Sequence, residues 1–198
     1  DGDLDLVRTD GANGGTDLYR NDGGGAFTEV TTPFPALPVQ GGDWGDYDND
    51  GDLDLVVTAG VDGTSATAAI FQNDGTGTFT DIGASLTGVN RGTAEWGDYD
   101  GDGDLDLVIT GDTEGSGLSP RVYRNDAGAF VDTGLRFFDV VSGTSTWADA
   151  DGDGDLDLFL AGLGSTELFE NTAPPAASVT LGGTTYTNSP TDPQVLGT

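Results

Sequence analysis

The sequence contains no cysteine, histidine or methionine, and its 6 basic residues are all arginines. Without cysteine there are no disulfides and no thiolate metal sites. Without histidine the commonest zinc ligand and general base are missing. The absence of lysine removes amine nucleophiles, so the conventional catalytic constellations have almost nothing to draw on. No apolar run approaches the roughly 18 residues that cross a bilayer, so membrane insertion is not expected. Positive charge is scarce as well: 6 basic residues stand against 35 acidic ones, for a net charge of -29. A chain so acidic repels phosphate polyanions, which excludes nucleic acid as a partner. What remains is a large supply of hard oxygen ligands.

Those oxygens are organised by a repeat. The string Gly-Asp-Leu-Asp-Leu begins at Gly2, Gly51, Gly103 and Gly154, about 51 residues apart. A second marker keeps step with it: Tyr19 to Asp22, Phe71 to Asp74, Tyr123 to Asp126 and Phe169 to Thr172. Within a unit, Asp52 to Thr58 alternates polar and apolar residues with period two and reads as a strand. Ala69 to Asn73 reads as a short aromatic strand, Asp74 to Gly77 as a turn, and the segments around Phe79 to Ile82 and Thr93 to Gly97 as two further strands. Helical periodicity is absent throughout. Four short strands per unit predict an all-β fold built of β-propeller-type blades, each of four antiparallel strands.

The units fall at about 1–42, 43–93, 94–144 and 145–172. The chain opens on Asp1 inside a repeat and is expected to be a segment of a longer one. Residues 173–198 carry no aspartate-rich loop. Pro174-Pro175 reads as a linker, and Ser178 to Leu181 with Thr184 to Thr187 form a hairpin pattern around Gly182-Gly183. That hairpin either completes the fourth blade or opens a following domain.

Aligned on the glycine, the complete loops carry Asp46, Asp48, Asp50, Asp52 and Asp54; Asp98, Asp100, Asp102, Asp104 and Asp106; and Asp149, Asp151, Asp153, Asp155 and Asp157. In each, positions 1, 3, 5 and 9 are aspartate and position 6 is glycine. Alternate carboxylates on a tightly turning loop converge on one point, and the glycine permits the sharp turn. Position 7 would offer its backbone carbonyl, leaving the side chains of Asp52, Asp104 and Asp155 facing solvent. Such a set meets the six to eight oxygens that Ca2+ prefers and suits Mg2+ less well. One aspartate-rich stretch is ordinarily a solvated turn. Three with every ligand position filled point to a cation, because crowded carboxylates repel each other strongly without one. A fourth loop keeps only Asp1, Asp3 and Asp5 and is incomplete. An EF-hand is excluded, since position 12 is Val57, Ile109 or Leu160 instead of glutamate and strands flank the loop where helices are needed.

The segments WGDYDNDGDLDLVVT, WGDYDGDGDLDLVIT and WADADGDGDLDLFLA resemble the FG-GAP/VCBS repeat, the blade unit of integrin α-subunit propellers and of many bacterial surface proteins. The resemblance covers residues 1 to about 172. It implies a propeller with Ca2+ in the loop between the first and second strands of a blade, held by the aspartates named above. Family propellers commonly close with about seven blades, so four repeats imply part of a larger one.

Trp44, Trp96 and Trp147 stand two residues before each loop and are expected to be core between blades, as are Phe27, Phe79 and Phe130. Arg20, Gln72, Arg124 and Glu170 share one position and are expected on an exposed strand face. Any partner site is expected on the non-repeating stretches 31–40, 61–68, 112–120 and 135–141, the last with Arg136, Phe137 and Phe138. Together these features predict a non-enzymatic, calcium-stabilised module of a secreted or cell-surface protein, acting in adhesion or in binding a glycan, a surface protein or copies of itself. The competing expectations are a propeller module of a secreted polysaccharide-degrading enzyme and a subunit of an extracellular filament.

Overall fold

The computed structural model describes residues 5–10, 15–31, 33–34, 38–60, 65–113, 116–117, 120–138, 143–162, 165–172, 177–181 and 184–188. Over these residues the protein is all-β, as the period-two patterning predicts. The first sheet comprises β1 (Leu6–Asp10), β2 (Gly15–Asn21) and β3 (Phe27–Val30). The second comprises β4 (Val39–Gly45), β5 (Asp54–Ala59), β6 (Thr67–Asn73) and β7 (Phe79–Asp81). The third is ordered β8 (Ala94–Gly97), β9 (Asp106–Ile109), β12 (Arg121–Asp126) and β13 (Ala129–Asp132); the two-residue strands β10 (Asp112–Thr113) and β11 (Ser116–Gly117) pair beside it. The fourth comprises β14 (Thr144–Ala148), β15 (Asp157–Gly162) and β16 (Ser165–Phe169). The strand pairings are antiparallel and, apart from the β10–β11 pair inserted between β9 and β12, follow chain order, which makes each sheet a meander of the propeller-blade type.

Alternation within each second strand divides its side chains between two cores. On β5, Leu55 and Val57 join Leu18, Phe71 and Phe79 against the first sheet. The intervening Val56 joins Ile70, Ala94, Trp96, Leu107 and Tyr123 against the third. On β9, Val108 in turn packs with Val122, Leu158, Leu160 and Phe169 of the third and fourth sheets. Three hydrophobic layers therefore hold four sheets face to face, and each fully buried side chain of this kind contributes about 1.5–3 kcal/mol.

The tryptophans do stand between blades. Trp96 stacks on Tyr47 of the preceding sheet with centroids 6.0 Å apart, and Trp147 stacks on Tyr99 at the same separation. A Cβ at Gly45 or Gly97 would meet the next sheet's tryptophan ring at 2.7 or 2.5 Å, which explains the glycine after Trp44 and Trp96. Phe79 is buried and Phe130 packs against Tyr47 and Trp96. Phe27 departs from the expectation. It is 49% exposed, whereas its counterpart Phe130 packs on Tyr47 and Trp96. In the tail, β17 (Ala177–Leu181) and β18 (Thr184–Asn188) form the hairpin but pair only with each other, and the fourth sheet has three strands among the described residues.

Candidate metal centres

Each of the three complete aspartate-rich loops connects the first and second strands of its sheet, so these sheets carry their loops along a common edge. The backbone is wound by the aspartates themselves. Asp46 accepts from the backbone N–H groups of Asp50 and Gly51, both at 3.0 Å, and Asp98 accepts from those of Asp102 and Gly103, both at 3.1 Å. Asp50, Asp102 and Asp153 each accept from the N–H two residues on, at 2.9–3.0 Å. The position-6 glycines Gly51, Gly103 and Gly154 lie at φ of 96°, 97° and 101°, a region that a residue with a Cβ rarely enters. Position 4 is also left-handed, at Asn49, Gly101 and Gly152. These are residue types that tolerate it.

Three groups of carboxylates result, each with oxygens within 4.8 Å of one another: Asp46, Asp48 and Asp50; Asp98, Asp100 and Asp106; and Asp149, Asp151 and Asp157. Asp54, Asp102 and Asp153 stand in the same loops but outside these groups. Asp1 and Asp3 lie outside the described residues, and Asp5 is exposed.

Position 9 has a second task that the sequence did not disclose. Asp106 is fully buried, and its two oxygens accept from Tyr99 N–H at 3.1 Å and Asn125 N–H at 2.8 Å. Asp54 does the same with Tyr47 and Asn73, and Asp157 with Ala150 and Asn171. Asp5 likewise accepts from Asn21 N–H at 2.8 Å. The asparagine side chains reach further. Asn125 Nδ2 donates to Leu105 O of its own loop and to Tyr47 O of the preceding one, and Asn171 Nδ2 donates to Leu156 O and Tyr99 O. The asparagine of the second sequence marker therefore clamps two successive loops. Its strict register with the aspartates was the available signal.

Three expectations are corrected. The position-7 side chains are not simply free in solvent: Asp155 is 8% exposed, and the half-buried Asp104 accepts from Asn49 Nδ2 at 2.9 Å and from Ala127 N–H. Asp52 turns toward Gly75, whose added Cβ would meet its Oδ2 at 2.4 Å. Gln72 is not on a bare strand face, since its Nε2 donates to Asp48 Oδ2 at 2.6 Å. Finally, Phe137 and Phe138 are packed on Phe169, with centroids 4.9 and 5.8 Å away, and Arg136 pairs with Asp132. The described part of that stretch packs its half-buried aromatics against the core between the third and fourth sheets. In the other non-repeating stretches, residues 32, 35–37, 61–64, 114–115 and 118–119 lie outside the described residues, while Phe34 packs on Phe71 and Ser116–Gly117 pairs with Asp112–Thr113.

The electrostatics fit a cation. Burial, reinforced by the charges of Asp102 and Asp98, pushes the Asp100 carboxyl up to about 6. Burial raises Asp106 to about 8 and Asp54 to about 6, against the lowering effect of their backbone hydrogen bonds. Asp100 Oδ2 is buried and receives no hydrogen bond. A buried, unpartnered carboxylate oxygen beside two further carboxylates is what a divalent cation would satisfy.

The sequence profile of the FG-GAP-like repeat matches residues 1–57, 46–109 and 98–160. The chain belongs to the FG-GAP-like repeat family. Among solved structures, a lectin of Agrocybe aegerita described as recognising non-reducing terminal N-acetylglucosamine has a similar fold, with a TM-score of 0.52 and 18% identity over 85% of this chain and 49% of that one. The chain thus spans about half the length of that lectin. No curated protein matches it.

The raised carboxyls of these FG-GAP-like loops give a pH prediction. In the unfolded chain they titrate near 4; folded and without a cation, they hold their protons up to about 6 to 8. The folded state then binds more protons than the unfolded one between about pH 4 and 8, so its stability falls as pH rises through that window. The lowered carboxyls, Asp22, Asp74, Asp126 and Asp132, lose their contribution only below the ordinary carboxylate range. In chelator, the melting temperature at pH 5 should exceed that at pH 8. A higher value at pH 8 would contradict the burial argument.

Proposed function

We propose that this chain is a calcium-stabilised, non-enzymatic binding module of a secreted or cell-surface protein, its blades presenting loops to a glycan or a surface protein. The observation that carries the reading is the buried and unpartnered Asp100 Oδ2 within a group of three carboxylates; groups of three carboxylates recur in the two other loops. Asp46, Asp48 and Asp50 would hold one ion, Asp98, Asp100 and Asp106 a second, and Asp149, Asp151 and Asp157 a third. Bound Ca2+ would neutralise the crowded carboxylates and draw each loop onto one centre. Ca2+ is preferred to Mg2+ because the loops bring several carboxylates to each centre, whereas Mg2+ keeps most of its water. An extracellular setting suits such loops, since free calcium there is high enough to fill sites of modest affinity. The absence of histidine, cysteine and lysine, together with the commitment of the aspartates to loop winding, supports binding over catalysis.

The lectin of similar fold makes sugars with a non-reducing terminal N-acetylglucosamine the first ligands to test. On a glycan array probed in calcium, the protein should retain a defined set of glycans and lose them in chelator, without releasing reducing ends. Release of reducing ends from an acidic polysaccharide would replace the binding reading with a degradative one.

A further inference from the structure

Gln72, Arg124 and Glu170 occupy one equivalent position, directly after the aromatic residue of the second marker and directly before the clamping asparagine. The backbone there is anchored identically in the three units: Asn73, Asn125 and Asn171 each give their N–H to the position-9 aspartate at 2.8 Å. The preceding residue therefore occupies the same backbone position relative to its loop in each unit. Gln72 demonstrates the reach, with its Nε2 on Asp48 Oδ2 at 2.6 Å. In the next unit the positive charge of Arg124 acts on Asp100, the position-3 counterpart of Asp48, even though the guanidinium also pairs with Asp126 at 2.8 Å. In the last unit the side chain is the exposed carboxylate of Glu170. The three loops carry aspartate at the same sequence positions, and the neighbouring charge runs from neutral to positive to negative.

We propose that this residue sets the calcium affinity of the loop beside it, so that the three sites fill in the order Glu170, Gln72, Arg124 from tightest to weakest. The inference rests on the calcium reading above and goes beyond it, because none of the three residues belongs to a carboxylate group. A unit charge 6–8 Å from a divalent ion at the surface changes its binding by roughly tenfold, and by less as salt screens it. Calcium loops are known to be tuned by the local charge count. Asp126 offsets part of the Arg124 charge, so the step from Gln72 to Arg124 is the smaller of the two.

The test is a calcium titration of the full chain followed by nitrogen-15 NMR, in which the amides of Gly51, Gly103 and Gly154 report one loop each. Gly154 should saturate first, then Gly51, then Gly103, with the spread narrowing in high salt. Arg124→Gln should move only Gly103 to lower calcium, by about threefold to tenfold. Glu170→Gln should move only Gly154 to higher calcium, and Gln72→Arg only Gly51. Unchanged melting temperatures in chelator show that the variants act on affinity and leave the fold intact. Sites that fill together and ignore all three substitutions would overturn the charge inference while leaving the calcium reading standing. Glycine amides that do not respond to calcium would overturn the calcium reading itself.

Discussion

Stripping Ca2+ from the protein at neutral pH is expected to lower its melting temperature by roughly 15–30 °C. The contributions of separate sites add. Each site at a hundredfold excess of calcium over its dissociation constant stabilises the folded state by about 2.7 kcal/mol. Three sites supply about 8 kcal/mol, which is comparable to the whole stability of an ordinary domain. At 198 residues, each kilocalorie moves the midpoint by about 2–4 °C. The loss should exceed simple mass action for a structural reason. Asn49 Nδ2 bonds to Gly103 O and Asp104 Oδ1 of the next loop, and Asn125 ties Tyr47 O to Leu105 O. Successive loops are thus coupled, and a loop that slackens loosens its neighbour. Differential scanning calorimetry in calcium and in chelator measures the shift directly. A change of only a degree or two would mean that the loops are held by their hydrogen bonds alone.

The second large effect belongs to Asp106. Asp106→Ala removes a candidate ligand and also strips two backbone donors, the half-buried Tyr99 N–H and the buried Asn125 N–H, of their acceptor. Each orphaned buried donor costs about 1–3 kcal/mol. The variant should therefore lose about 2–5 kcal/mol even in chelator, where no ion is at stake. Asp50 provides the contrast. It is exposed, stands in the first carboxylate group and makes its hydrogen bond within its own loop. Asp50→Ala should cost an ion in calcium and leave the chelated protein close to its parent. Denaturant unfolding of both variants in both buffers separates the roles. Equal behaviour of the two substitutions would remove the distinction between clamp and ligand.

Much of this architecture was legible in the sequence because it is periodic. The all-β character followed from the alternation in segments such as Asp52 to Thr58, and the blade organisation from two markers recurring in register. Trp96 and Trp147 were placed between blades because one large apolar residue per unit has few other destinations. The hydrogen-bond circuitry was not legible. Nothing in the local pattern reveals that Asn125 spans two loops, since its partners are carbonyls of Tyr47 and Leu105 and carry no side-chain signature. Position 7 was misjudged for a related reason. A loop viewed alone leaves Asp104 facing water, but the neighbouring blade brings Asn49 to it. Phe137 and Phe138 looked like an exposed aromatic group because their cover, Phe169, lies in another sheet. In a repeat protein the side chains whose environment is set by the adjacent repeat are those a single repeat cannot explain. The fourth unit illustrates it, with Ala148 and Ala150 where the other complete loops have the glycine and tyrosine that receive the next tryptophan.

The central claim is that the aspartate loops are calcium sites, and isothermal titration calorimetry of the chelated chain with CaCl2 at neutral pH addresses it most directly. Three ions per chain are predicted, falling to two in Asp48→Ala or Asp100→Ala. Binding of one ion or none to the unsubstituted chain would contradict the account.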